Sequence, residues 1–317
     1  MNIGIDMMGG DFAPVEAVKG LQTYLSVSTV PATLFCIGDE MQINNLLSEY
    51  SISSPLVNVV HAPEIIGMHE HPTKALKEKQ QSSINIGFHL LTTGKIEALI
   101  SAGNTGAMLV GSMYSIKAIP GVLRPTISTV IPKLNGQMGL LLDVGLNADC
   151  KPEHLNQFAL LGSLYATHVL GIENPKVALL NVGEEEGKGN ILAQSTYPLL
   201  KENSNINFAG NVEGRDILTD KADVVVCDGF TGNVILKMAE SFYDISIKRN
   251  IDDEYIHRFH YENYGGTPVL GVAKPVIIGH GISKAKSFTN MILLAEKMIT
   301  SNVIVEMVER FKKVEVL

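Results

Sequence analysis

Short apolar segments that end in a glycine-rich or polar turn and then give way to a helical pattern recur along the whole chain. Asn2–Asp6, Ala32–Ile37, Val57–His61, Ala98–Ser101, Gly139–Asp143, Val177–Val182, Val224–Cys227 and Val276–Gly279 read as strands. Several are continuously apolar instead of alternating, the pattern of strands buried on both faces. Helical patterns cover about Val15–Leu25, Thr73–Thr92, Thr105–Lys117, Glu153–Leu170, Ile191–Lys201 and Asn233–Lys248, and a long final helix is expected over Ser283–Arg310. Strand–helix alternation predicts an α/β fold whose mostly parallel sheet carries helices on both faces. Ligands of such sheets bind beyond the carboxyl ends of the strands.

No Pro/Ser linker, charge block or low-complexity tract interrupts the 317 residues, so one domain over 1–317 is expected, with a helical excursion at about 238–264. A composition of 45% hydrophobic and 18% charged residues excludes a disordered chain. The net charge of −8 and the absence of Trp leave neither a basic field nor a stacking platform, so no nucleic-acid partner is expected. Cys36, Cys150 and Cys227 are odd in number and far apart, which argues for a reducing compartment. The opening MNIGIDMMGGDF lacks the basic and apolar regions of a signal peptide, and no apolar run approaches ~18 residues, so a cytoplasmic protein is expected.

The usual catalytic motifs do not occur. No G-x-G-x-x-G follows the first strand, and GEEEGKGN (Gly183–Asn190) resembles a phosphate loop only superficially, with Gly189 where Ser or Thr belongs. There is no G-x-S-x-G elbow and no H-E-x-x-H. The pairs His69/His71 and His257/His260 lack matching carboxylates and read as surface histidines, so no metal is expected.

What remains is a set of glycine-rich strand ends. SAGNTGA (Ser101–Ala107) and CDGFTGNV (Cys227–Val234) both run from an apolar strand through a glycine loop into a helix, like two copies of one device. Glycines let backbone N–H groups converge, and the new helix adds its positive end, which suits an anion. Either loop alone reads equally as a tight turn; two such loops, with Lys188 between Gly187 and Gly189 in a third, favour a phosphate site.

The ordered blocks DMMGGDFAP, SAGNTGAM, LDVGLNADCKPEHLNQFA, NVGEEEGKGN, NVEGRD, VVCDGFTGNVILK and YGGTPVLGV…GHGISKAK resemble the PlsX-type phosphate acyltransferases over nearly the whole chain. The resemblance implies a three-layer α/β/α sandwich like that of phosphate acetyltransferases and isocitrate dehydrogenases. It implies transfer of a fatty acyl group from acyl-acyl carrier protein to inorganic phosphate, giving acyl phosphate for phospholipid synthesis. A homodimer, peripheral contact with membrane, and hand-over to a membrane glycerol-phosphate acyltransferase are implied as well, with no cofactor. The chain departs from the family at His71-Pro72-Thr73-Lys74, where Lys74 replaces an expected Arg, and at Gln81 and Lys284.

On this reading Gly103, Asn104, Thr105, Gly106 and Gly232 hold phosphate, and Lys188, Asn233 and His280 steady phosphate or the oxyanion. A thioester is already activated and phosphate is itself a nucleophile, so positioning and oxyanion donors suffice. Two other readings stay open: a phosphotransacylase acting on coenzyme A thioesters, and a non-catalytic module that binds phosphate or acyl phosphate. A basic-amphipathic group, Lys248, Arg249, His257 and Arg258 beside Phe242, Ile245, Phe259 and Tyr261, is the expected membrane or carrier contact.

Overall fold

β1 (Asn2–Asp6) is buried from Ile3 onward, as an unbroken apolar run requires. In this computed structural model, which describes residues 1–29 and 31–314, it is followed by α1 (Val15–Val27), β2 (Thr33–Gly38), α2 (Glu40–Glu49) and β3 (Val57–His61). Next come α3 (Pro72–Glu78), α4 (Ser83–Thr92), β4 (Ala98–Ser101) and α5 (Thr105–Gly111). The single helix expected over 73–92 is therefore two. Ser82 is the reason: its side chain accepts the Asn85 N–H and starts α4 afresh, while the Asn85 amide donates to the carbonyls of Leu76 and Lys79. The helix expected to reach Lys117 stops being α-helical at Gly111 and continues as a π turn over Ser112–Ile116.

The middle of the chain supplies β5 (Thr126–Pro132), β6 (Met138–Leu142), α6 (Pro152–Tyr165), β7 (Lys176–Leu180), α7 (Ile191–Glu202) and β8 (Asn207–Val212). It goes on through β9 (Val224–Val226), α8 (Gly229–Arg249) and α9 (Glu254–His257). The last part adds β10 (Thr267–Leu270), β11 (Val276–Ile278), α10 (Ala285–Thr300) and α11 (Val303–Val314). The long final helix is broken at Asn302, whose φ of +54° lies in the left-handed region that ends helices.

Two compact units result: residues Met1–Ala118 with Tyr261–Thr300, and Ile119–His260 with the segment from Ser301. In the first unit the strand order is β3-β2-β1-β4-β11-β10, parallel except for β10 against β11. Register pairs Ile5 with Cys36 and Ile100, and Ile100 with Ile277. β1 and β4 are buried at successive positions, and α4 and α10 both pack against them. In the second unit the order is β5-β6-β9-β7-β8, with only β5 antiparallel. Each unit is thus a mostly parallel sheet flanked by helices, as the alternation predicts. Among the described residues no helix is long and apolar enough to cross a membrane.

Candidate functional site

In the first unit three neighbouring strand ends, β1, β4 and β11, bring three polar loops together. Asp6 ends β1 and is 1% exposed. Its Oδ2 accepts the Ser101 hydroxyl at 2.6 Å, its Oδ1 accepts the Met8 N–H at 3.1 Å, and Ser101 Oγ in turn accepts the Gly103 N–H at 2.9 Å. Burial pushes the Asp6 carboxyl above the ordinary carboxylate range, against the pull of these hydrogen bonds. Gly9 lies directly on this loop, where a Cβ would come within 2.6 Å of the Gly103 nitrogen. Gly10, at φ +102°, and Asp11 meet the third loop: the Asp11 N–H donates to the Gly281 carbonyl at 2.7 Å.

The same geometry fixes the predicted cradle. Asn104 is buried; its Oδ1 caps α5 by accepting the Ala107 N–H, and its amide donates to the carbonyls of Gly67 and Glu70, each at 2.9 Å, and more distantly to Met68. It therefore shapes the loop and ties it to residues 67–70. Gly106 has no room for a side chain because Pro72 of α3 occupies the space. Thr105 is exposed. His280, half-buried, stands next to Gly281 with its ring 4.9 Å from that of Tyr261, whose hydroxyl donates to the Ile282 carbonyl.

The second unit repeats the arrangement at β6 and β9. Asp143, wholly buried at the end of β6, accepts the N–H groups of Ile127 and Leu146 on Oδ1 and both the N–H and the amide of Asn147 on Oδ2. Burial pushes this carboxyl up too. A Cβ at Gly229 would stand 2.8 Å from Asp143 Oδ2, and one at Gly232 would collide with the Asp143 carbonyl oxygen. Asp228 caps α8 through the N–H and hydroxyl of Thr231, each at 2.8 Å. Asn233 is half-buried with its amide against Gly145, which adopts φ +132°.

Lys188 is exposed on the loop between β7 and α7. Its N–H donates to the Glu185 carbonyl, its carbonyl accepts the Asn181 amide, and its aliphatic stem runs along Gly183. Glu184 is paired with Lys221, and Glu186 with Lys201, so two of the three neighbouring glutamates are held by other lysines.

The structure places Gly103, Asn104, Thr105, Gly106 and His280 in the first unit, where contacts between their loops bring them together. It places Lys188, Gly232 and Asn233 in the second. Asp6, Asp11, Asp143 and Asp228 already read from the sequence as carboxylates that orient loops, since bare carboxylates repel phosphate; what the sequence does not show is that Asp6 works through Ser101 to Gly103. The only trace of that chain is an acid at one strand end and a hydroxyl at another, which become neighbours through parallel pairing of β1 with β4. The basic-amphipathic group is corrected: Arg258 donates to the carbonyls of Lys133, Gly136 and Gln137, and Phe259 is buried against Phe242 and Tyr255. Lys248 and Arg249 remain exposed there with Ile245, Ile247 and Ile251. The three thiols are poor nucleophiles, since burial pushes Cys36 and Cys150 up to about 12 and Cys227 well above its ordinary value.

A family model described as fatty acid synthesis protein matches residues 1–254 and 245–306. The chain is 43% identical to the phosphate acyltransferase of Dictyoglomus turgidum, over 99% of this chain and 98% of that protein. It is 42% identical to the phosphate acyltransferase of Aquifex aeolicus, over 95% and 94%. Among solved structures it superposes on a phosphotransacetylase from Streptococcus pyogenes with a TM-score of 0.68 at 16% identity, covering 95% of this chain and 94% of that one. The EutD phosphotransacetylase from Staphylococcus aureus gives 0.64 at 17%, covering 94% of each chain. These two likenesses show a shared fold.

Proposed function

The chain belongs to the fatty acid synthesis protein family, and on that premise we propose that it moves an acyl group from a thioester to inorganic phosphate. The observation that carries the reading is near-complete coverage of phosphate acyltransferases at 43% identity. The first unit supports it with a glycine loop anchored by a buried carboxylate, and the chain's thiols are all suppressed as nucleophiles.

Phosphate supplies the nucleophile. One of its oxygens attacks the thioester carbonyl carbon, the carbonyl oxygen takes up negative charge, and collapse breaks the C–S bond and expels the thiolate. The protein's work is positioning and charge stabilisation. We assign phosphate to the backbone of Gly103, Asn104, Thr105 and Gly106, with Asn104 as the residue that shapes the loop. In the first unit His280 is assigned to phosphate or the developing oxyanion. In the second unit Lys188, Gly232 and Asn233 are the candidate anion contacts, and Gly232 also lets the start of α8 lie close to Asp143.

The acyl donor proposed is acyl-acyl carrier protein, from the resemblance of the sequence blocks to the PlsX-type enzymes. The same resemblance supports a cytoplasmic homodimer; peripheral membrane contact is proposed on exposed Lys248 and Arg249 beside the exposed Ile245 and Ile247 of α8. The protein's acyl phosphate would pass to a membrane acyltransferase.

The test incubates pure protein with palmitoyl-acyl carrier protein or palmitoyl-coenzyme A, with and without phosphate, and follows free thiol and acyl phosphate. Phosphate-dependent thiol release, matched mole for mole by acyl phosphate and faster from the carrier protein, is expected. Hydrolysis that ignores phosphate overturns the reading, and preference for the coenzyme A thioester replaces the donor.

A further inference from the structure

The second unit contains an open cavity of about 290 Å³ at the carboxyl ends of β7 and β9. Its walls are apolar: Leu155 of α6, Leu179 of β7, Leu192 and Ala193 of α7, Cys227, and Ile235 of α8. The polar residues around it are engaged within the chain. Asn190 accepts the Ala193 N–H, Asp228 accepts from Thr231, and Asn181 donates to the Lys188 carbonyl and accepts the Val182 N–H. An occupant rich in amides or charge would meet mostly aliphatic wall and would give up its hydration.

The apolar surface continues outward. Val182, which lines the cavity, is 80% exposed, and Ile191, flanked by the lining residues Asn190 and Leu192, is 85% exposed. A cavity walled by aliphatic side chains, with exposed Val182 among them, suits an apolar ligand. Asn181 and Asn190 bracket the loop that carries Lys188.

We propose that this cavity receives the alkyl chain of the acyl substrate, and that Ile235 and Leu192 set how much of the chain is held. Longer chains would run out over Val182 and Ile191. The inference rests on the acyl-transfer reading and adds to it a binding site and a determinant of chain length.

Calorimetric titration of the full protein with octanoate and dodecanoate tests the cavity apart from catalysis. Affinity is expected to rise about fourfold (~0.8 kcal/mol) for each methylene that enters it. Ile235→Trp, which fills the cavity, should weaken dodecanoate at least tenfold and move the kcat/KM optimum of acyl thioesters to shorter chains. Ile235→Ala should move it to longer ones. If Ile235→Trp does not fold, Leu192→Trp at the half-buried wall provides the same filling. Equal dodecanoate affinity in wild type and a folded filled variant, or an unaltered chain-length profile, overturns the proposal. Should the wild type form no acyl phosphate, the functional reading fails while the titrations still decide the cavity.

Discussion

Asp6 and Ser101 are joined by a 2.6 Å hydrogen bond that crosses from the end of β1 to the end of β4. Ser101 Oγ passes the constraint on by accepting the Gly103 N–H, so a buried carboxylate sets the backbone of the proposed phosphate loop without touching phosphate. Asp143 stands to Gly229 in the second unit much as Asp6 stands to Gly103 in the first, close enough in each case that a side chain on the glycine meets carboxylate oxygen. Asp6 is therefore a positioning residue.

Asp6→Asn tests that role. The native protein binds a proton at Asp6 more readily than the unfolded chain does. The ionised group's contribution to stability therefore falls as pH rises from the ordinary carboxylate range through the raised native value. An amide does not ionise, so the melting temperature of Asp6→Asn should depend less on pH across that window. Its NH₂ brings a second donor to a site that accepts from Met8 and Ser101, and the phosphate KM should rise about tenfold, equivalent to ~1.4 kcal/mol. An unchanged KM together with an unchanged pH profile would remove Asp6 from this role.

Ser101→Ala removes the middle of the chain and leaves the buried Gly103 N–H without its acceptor. A loss of about 1–3 kcal/mol in denaturant unfolding is expected, with a rise in phosphate KM at least as large as that of Asp6→Asn. A stability loss with intact kinetics would assign Ser101 to folding alone.

Lys188→Ala separates catalysis from structure because the side chain is exposed. If the ammonium stabilises charge in the transition state, kcat should fall about 10²–10³-fold, or ~2–4 kcal/mol, at an unchanged melting temperature. Near-wild-type kcat and KM would take Lys188 out of the mechanism.

Gly232→Ala should destabilise the second unit by about 1–3 kcal/mol, since a methyl group collides with the Asp143 carbonyl and α8 must shift. Thermal unfolding measures it; a wild-type melting temperature would contradict the contact.

Asp223→Ala probes a buried ion pair remote from the loops. Lys133 is 1% exposed and its ammonium meets Asp223 Oδ1 at 2.6 Å. Removing the partner strands a buried charge, and a loss of about 3–5 kcal/mol is expected by urea unfolding, with Lys133→Met/Asp223→Ala recovering much of it.

Local pattern sufficed for the strands that carry the loops. β1 and β4 begin and end where the apolar pattern predicts, because burial at successive positions leaves no exposed polar position to blur the ends. β3, VNVVH, keeps its predicted bounds as an edge strand, with Asn58 and His61 at its exposed positions. β5, TISTVIP, escaped notice because its threonines, serine and proline mimic a loop, and it becomes a strand by antiparallel pairing with β6. The breaks at Ser82 and Asn302 fall inside long helical patterns, where a local cap or a left-handed residue overrides periodicity.

The candidate loops were legible as glycine clusters, since glycine marks close backbone approach whatever it approaches. What each glycine approaches was decided by the tertiary structure. Gly106 clears Pro72, Gly232 clears the Asp143 carbonyl, and Asn104 spends its amide on residues 67–70. Asp6 acquires its role only when parallel pairing brings Ser101 alongside. Sequence by itself determined which segments carry strands, helices and glycine turns, because propensity and hydrophobic period are local. The tertiary structure decided which donor meets which acceptor, because those partners are distant in the chain and are selected by sheet order and by the space left at each strand end.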